Sequence, residues 1–158
     1  MKALIAYLSD SGVTARQART LAEAVNGDLY EIVPAVPYTK ADLNWMDKHS
    51  RSTLEMADPA SRPAIAGALP DVSGYDTVFV GFPIWWYVAP TIINTFLEGC
   101  DLSGKTVVPF ATSGGSGMGE TNLKLQPSCP GSRLLEGKVM KSRSSKETLE
   151  AWVRGLDL

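Results

Sequence analysis

The sequence predicts a doubly wound α/β protein, in which helices cover both faces of a parallel sheet. Short, nearly continuous apolar runs recur along the chain, as expected for strands that are buried on both faces. Segments with apolar residues at helical spacing separate these runs. The chain has 158 residues and is 44% hydrophobic, so we expect a single domain over residues 1–158.

The first three elements lie in residues 2–33. Lys2 to Leu8 is an apolar run and predicts the first strand. Thr14 to Asn26 predicts a helix that ends before Gly27, and its apolar positions are Ala15, Ala18, Leu21, Ala22 and Val25. Asp28 to Val33 predicts a short second strand, which Pro34 ends.

The middle of the chain repeats the strand-helix-strand pattern. Asp76 to Phe82 and Lys105 to Ala111 predict two further buried strands. Ala89 to Leu97 between them predicts a helix, since Pro90 is tolerated in a first helical turn. The pattern therefore brings the ends of three strands to one edge of the sheet.

The remaining segments carry weaker patterns. Gly137 to Lys141 predicts a fifth strand, and Lys146 to Leu156 predicts a closing helix. The segment 35–75 is interpreted as a helix plus a loop. Its candidate helical face consists of Leu43, Met46, Thr53, Leu54 and Ala57.

Composition excludes several classes of function. Fifteen basic and 17 acidic residues give a net charge of −2, which provides no basic stripe for nucleic acid. We expect no signal peptide or membrane helix, because no apolar run is long enough. Cys100 and Cys129 lie far apart beside a single histidine, His49, so neither a zinc site nor a CxxC pair is expected. These observations favour a cytoplasmic protein.

The loop after the first strand has the composition of a phosphate site. Its sequence, Ser-Asp-Ser-Gly-Val-Thr at residues 9–14, opens into the first predicted helix. Hydroxyl groups and backbone N–H groups converge there at the positive end of the helix dipole. The loop lacks both a Gly-Lys-Ser/Thr ending and a GxGxxG pattern. A simple helix cap remains the alternative for this loop alone.

Two further loops follow the strands at residues 76–82 and 105–111. Trp85, Trp86 and Tyr87 are consecutive aromatic residues at a position where a loop is usually polar, and they can stack on a planar ring. Residues 112–119 include four glycines, which allow the backbone to approach a ligand closely. Each loop alone has a structural explanation, but all three gather on one rim of this fold.

Together these loops resemble the flavodoxin-like family over essentially the whole chain. The resemblance rests on S-D-S-G-V-T at residues 9–14, F-P-I-W-W at residues 82–86 and T-S-G-G-S-G-M-G at residues 112–119. It implies a five-stranded sheet in the order 2-1-3-4-5 and FMN as the cofactor. The phosphate would be held by Ser9, Ser11, Gly12, Val13 and Thr14. The flavin ring would be lined by Pro83, Ile84, Trp85 and Trp86 and, at its other edge, by Thr112, Ser113, Gly114, Gly115 and Gly119.

The resemblance implies electron transfer through the flavin, with no catalytic side chain. Electron carriers of the family are usually acidic and place an aromatic ring in the third loop, whereas this chain is nearly neutral and has none there. An FMN-dependent NAD(P)H:quinone or nitro reductase is therefore the alternative, and a non-catalytic flavin sensor is a third hypothesis. The electron partners would be NAD(P)H, a quinone or a redox protein. Tyr38 and Trp45 are expected to pack, and His49 to lie in an exposed basic cluster.

Overall fold

A computed structural model of the chain describes residues 1–113, 115–141 and 143–158. The strands among these residues form one sheet, in which all pairs are parallel. Its strands are β1 (Ala3–Tyr7), β2 (Asp28–Glu31), β3 (Thr77–Pro83), β4 (Thr106–Thr112), β5 (Arg133–Leu134) and β6 (Lys138–Met140). The order is β2-β1-β3-β4-β5, and β6 also pairs with β4. The predicted fold class and strand order are confirmed.

Five α-helices connect and cover these strands in the described part of the chain. They are α1 (Val13–Val25), α2 (Arg51–Ala57), α3 (Thr91–Gly99), α4 (Thr121–Leu125) and α5 (Lys146–Arg154). All of them are too short to span a lipid bilayer. The sequence patterns located α1, α3 and α5 to within a few residues at each end.

The predicted fifth strand is real but interrupted. β5 pairs with Thr106–Val107 and β6 pairs with Phe110–Thr112, so both continue one column beside β4. Asn122 fills the gap between them: its Nδ2 donates to the Leu135 carbonyl at 2.7 Å, and its Oδ1 accepts from the Gly137 N–H at 3.1 Å. A side chain thus replaces the missing strand partner.

Two apolar layers hold the sheet between its helices. On one face, Val80 and Phe82 pack with Ile92 and Phe96 of α3. The opposite layer contains α1 and α5, and its largest fully buried side chains are Ile5, Leu21, Phe79, Phe110 and Leu149. Burial of side chains this size is the main stabilising term in a domain of this length. The parallel register carries the ends of β1, β3 and β4 to a common rim.

The segment between β2 and β3 is mostly irregular. Only Arg51–Ala57 is helical, where Ser50 accepts a hydrogen bond from the Thr53 N–H as the N-cap. A bridge between Pro34 and Ile65 closes the segment at its base. We call residues 34–65 the flap, because part of this segment reaches the rim. The expected helix plus loop is therefore confirmed, but the expected helical face is wrong, because Leu43 and Met46 precede the helix and Leu54 is exposed.

Candidate functional site at the carboxyl rim of the sheet

The loop after β1 is organised around the Ser9 hydroxyl. Ser9 Oγ accepts hydrogen bonds from the N–H groups of Gly12 at 3.0 Å and Ala15 at 3.3 Å. Gly12 has a φ of +88°, and a β-carbon at this position would have open space around it. The turn therefore needs glycine for its backbone conformation and leaves its outer side clear.

The start of α1 presents unused donors at this loop. Within the described residues, the N–H groups of Ser11, Val13 and Thr14 have no acceptor. Free N–H groups at a helix start form a natural anion site. The Thr14 hydroxyl faces inward instead, where it shares a buried hydrogen bond of 2.7 Å with Thr112. That bond ties the first rim loop to the end of β4.

The aromatic loop after β3 is a tight and strained turn. The N–H of Ile84 donates to the Thr112 carbonyl at 2.9 Å, which anchors the loop beside β4. Trp85 and Val88 exchange backbone hydrogen bonds of 3.0 and 3.1 Å. The two residues between them, Trp86 and Tyr87, have φ values of +51° and +65°. Such a turn normally holds Asn and Gly, and each bulky residue with positive φ costs about 1–3 kcal/mol.

Both rings of this strained turn lie at the surface. The exposed fraction is 42% for Trp86 and 65% for Tyr87. Large apolar side chains at this exposure mark a contact surface rather than part of the core. Backbone strain at such a position indicates a functional constraint.

The glycine-rich loop after β4 packs against the aromatic turn. Ser113 Oγ accepts from the Gly115 N–H at 3.1 Å. Gly119 has a φ of +54°, and a β-carbon there would lie 2.3 Å from the Tyr87 carbonyl oxygen. Gly119 therefore allows the two loops to touch. Gly114 lies outside the described residues.

A cavity of about 840 Å³ opens between these loops. This volume is within the range of small-molecule and cofactor sites. Its walls come from the first loop, the aromatic loop, the glycine-rich loop and the flap. They consist of Asp10, Leu43, Trp45, Ser52, Ile84, Trp85, Trp86, Tyr87, Ser113, Gly115, Ser116 and Gly117.

A polar cluster fixes the flap against the aromatic loop. The Tyr38 ring packs edge-on against the Trp85 ring, as expected, with 5.3 Å between the ring centroids. The Tyr38 hydroxyl donates to Glu55 Oε1 at 2.5 Å. Arg51 pairs with Glu55 at 2.9 Å and lies over the Tyr38 ring. Burial and the Glu55 hydrogen bond raise the Tyr38 pKa, so this hydroxyl remains a donor at neutral pH.

The flap contributes a third tryptophan to the cavity. Trp45 lines the wall and is 70% exposed, so the expectation that it packs is wrong. The sequence placed Leu43 on a helical face and did not single out Ser52, yet both line this cavity. His49 is exposed, as expected, and is not part of the cavity wall. An apolar Leu-Asn-Trp-Met stretch within a polar segment is the signal that could have indicated this wall.

The structure brings most of the predicted residues to one rim, in three roles. Ile84, Trp85, Trp86, Ser113 and Gly115 line the cavity. Ser9, Ser11, Gly12 and Val13 form the loop that leads into α1. Thr14, Thr112 and Gly119 hold the loops against one another, and Pro83 ends β3 beside Thr112.

Comparison with known proteins agrees with this architecture. The flavodoxin family profile matches residues 2–156. A proposed flavoprotein of Bacteroides eggerthii is 52% identical, with a TM-score of 0.91 over 97% of this chain and 96% of that one. Another from Bacteroides uniformis is 50% identical, with a TM-score of 0.91 over 97% of both chains.

More distant structures share the fold. A flavoprotein of Lactobacillus acidophilus, solved in complex with FMN, is 20% identical, with a TM-score of 0.70 over 96% of this chain and 98% of that one. No curated protein sequence matches the chain.

Proposed function

Since this chain belongs to the flavodoxin family, we propose that it binds FMN at the carboxyl rim and transfers electrons through the flavin. When bound, FMN supplies one-electron and two-electron redox chemistry. The observation that carries the proposal is the strained Trp86–Tyr87 turn, which exposes two aromatic rings beside an 840 Å³ cavity.

The loop at residues 9–14 would hold the FMN phosphate. The free N–H groups of Ser11, Val13 and Thr14 would donate to phosphate oxygens without any lysine or arginine. The positive φ and open side of Gly12 leave room for the phosphate beside the backbone. Ser9 holds the loop in shape and still has its own hydroxyl proton to donate.

The walls of the cavity suit a flat ring. Trp85 and Trp86 would lie against the isoalloxazine and exclude water from it. Backbone N–H groups in residues 113–119 would donate to the edge of the ring and favour its reduced form. In this arrangement Gly119 positions the aromatic turn, because a larger residue would push Tyr87 away.

The test is a visible absorption spectrum of the purified protein with added FMN. Perturbed flavin bands would support the cofactor assignment. Unchanged bands at FMN concentrations far above the protein would contradict it. Stepwise photoreduction that accumulates a semiquinone would support single-electron transfer to a protein partner.

A second function, direct reduction of a planar acceptor such as a quinone, has its own observation in its favour. Trp45 lies on the flap, lines the same cavity as the loops that would hold the flavin, and is largely exposed. A free indole face in that position can stack on an acceptor ring next to the flavin. Rapid bleaching of the bound flavin by NADPH without oxygen would support this reductase.

The variant Trp45→Ala tests the second function. We expect the KM for 1,4-benzoquinone to rise several-fold while FMN affinity stays constant. Met46→Ala is the matched control, because Met46 is equally exposed but is not part of the cavity wall. Equal effects of both variants would contradict a stacking role for Trp45.

A further inference from the structure

A second cleft lies between α1 and the segment that follows β6. It has a volume of about 430 Å³ and is lined by Arg16, Gln17, Thr20, Arg143 and Ser144. Arg16 and Thr20 lie on α1, one turn apart, and Arg143 and Ser144 follow β6. The cleft therefore opens near the same rim as the loop at residues 9–14.

The cleft is basic although the whole chain is slightly acidic. Among the described residues, Arg16, Arg19 and Arg143 form no ion pair or side-chain hydrogen bond, whereas Arg51, Arg62, Arg133 and Arg154 are all paired. Of the three unpaired arginines, Arg16 and Arg143 line the cleft. Residues 138–146 carry four basic side chains and no acidic one. Two free guanidinium groups lining one cleft provide planar donors that suit a phosphate.

Gln17 supplies an independent indication of a ligand. Its side chain lines the cleft and is 0% exposed, yet its Oε1 and Nε2 have no hydrogen-bond partner. A buried amide without a partner destabilises a protein, so such groups usually point to a bound ligand or water. The amide can both donate to a phosphate oxygen and accept from a protonated one.

We propose that Arg16, Gln17 and Arg143 form a second anion site, which binds the phosphate group of a small molecule. The site is separate from the loop at residues 9–14 and does not depend on FMN. Two sources share this chemistry, namely a free inorganic phosphate and the phosphate of a dinucleotide. The cleft lies beside the rim, so either ligand would come close to the aromatic cavity.

The proposal is tested by titrating the isotopically labelled protein with inorganic pyrophosphate and following its NMR spectrum, without and with saturating FMN. We expect saturable shifts of the Gln17 side-chain amide and of the Ser144 N–H in both series. Shifts confined to residues 9–15 that vanish with FMN would overturn the proposal, because only the first loop would then bind the anion. Parallel titrations with NADP⁺ and NAD⁺ separate the sources: tighter binding of NADP⁺ assigns the site to its extra phosphate, and equal weak binding assigns it to inorganic phosphate.

Two arginine variants define the site. Arg16→Gln and Arg143→Gln should each raise the pyrophosphate Kd at least about tenfold, because each removes a charge-assisted hydrogen bond. Arg19→Gln is the matched control, since Arg19 is exposed on the same helix but does not line the cleft. Equal loss in all three variants would show general charge screening and overturn the proposal.

Gln17→Leu provides a readout that does not depend on charge. The substitution keeps the volume and removes the unpartnered amide, so we expect a Tm equal to or above that of the parent and weaker pyrophosphate binding. A lower Tm with unchanged binding would show that the amide has a structural partner, and would overturn its role in the site.

Discussion

There is a cavity at each end of the sheet, and the two cavities differ in whether the polar groups around them have hydrogen-bond partners. At the carboxyl rim, the described N–H groups of Ser11, Val13 and Thr14 lack acceptors and the Trp86–Tyr87 turn is strained. At the amino end, a cavity of about 270 Å³ lies between the end of α3 and residues 127–130. It contains both cysteines and no strained turn.

The polar side chains around the cavity at the amino end form hydrogen bonds with one another. Glu98 accepts from Arg62 at 2.9 Å and from the Ser128 hydroxyl at 2.7 Å, and these hydrogen bonds lower the Glu98 pKa. Asn94 donates to Ser128 at 2.9 Å. The volume of a cavity alone therefore does not indicate a binding site. Unsatisfied donors, exposed rings and strain distinguish the rim.

Gly12→Asp should have the largest effect on the rim. It places a carboxylate beside the proposed phosphate, and we expect FMN affinity to fall at least about 100-fold, because like charges in a binding site cost several kcal/mol. Quenching of FMN fluorescence measures the affinity. Gly12→Asn has the same size and backbone requirement without the charge, and it should stay within about tenfold of the parent. Equal losses in both variants would contradict the phosphate assignment.

Replacing Trp86 and Tyr87 together by Asn and Gly should separate stability from binding. The new pair suits positive φ, so the free energy of unfolding without FMN should rise by about 1–3 kcal/mol. FMN affinity should fall about 10-fold to 100-fold, because an aromatic stacking partner is lost. Urea unfolding and FMN titration measure the two effects. Tyr87→Phe retains the ring and the strain, so it should change neither the free energy of unfolding nor the FMN affinity. Normal FMN affinity in the double variant would contradict the proposed contact between these rings and the flavin.

Gly119→Ala should disturb the rim by a smaller amount. The added carbon would meet the Tyr87 carbonyl at 2.3 Å and adopt a positive φ. We expect the free energy of unfolding to fall by about 1–3 kcal/mol, measured in urea. Gly117→Ala is the control, because a β-carbon there has open space and no positive φ is required. A similar loss at Gly117 would show that the loop, and not its contact with Tyr87, is sensitive.

The smallest effect is expected at the amino end. Burial raises the pKa of the Cys100 thiol to about 11. At pH 8 a thiol with such a pKa is about one-thousandth thiolate, so alkylation by iodoacetamide should be slow and should rise about tenfold per pH unit up to pH 10. Mass spectrometry assigns the label to Cys100 or Cys129. FMN should leave the alkylation rate of Cys100 unchanged. Protection of Cys100 by FMN would contradict the assignment of FMN to the carboxyl rim alone.

The sequence was informative where burial is continuous. β1, β3 and β4 are buried along nearly their whole length, so apolar runs located them to within one or two residues. The interrupted fifth strand could not be predicted, because its gap depends on the Asn122 side chain, which lies in another element. Local patterns do not contain such distant hydrogen bonds.

The same limit applies to the candidate site. The loops after β1, β3 and β4 were predictable, because each follows a strand whose end must reach the rim. Trp45 was misinterpreted, because its exposure depends on how the flap folds. That path depends on the contacts among Tyr38, Arg51 and Glu55, which join residues far apart in the chain. The positive φ values of Trp86 and Tyr87 had no sequence signal either, since aromatic residues are rare in such turns.

The gap in the fifth strand also bears on self-association. Exposed strands at the edge of a sheet can add a strand from a neighbouring molecule and so start aggregation. Here that edge consists of two short pieces, Arg133–Leu134 and Lys138–Met140, and Asn122 bridges the gap between them on the side that faces β4. An incoming chain would find no long run of free backbone groups on this side. The interruption that Asn122 stabilises therefore leaves only short strand pieces at this edge, which disfavours amyloid-like strand addition.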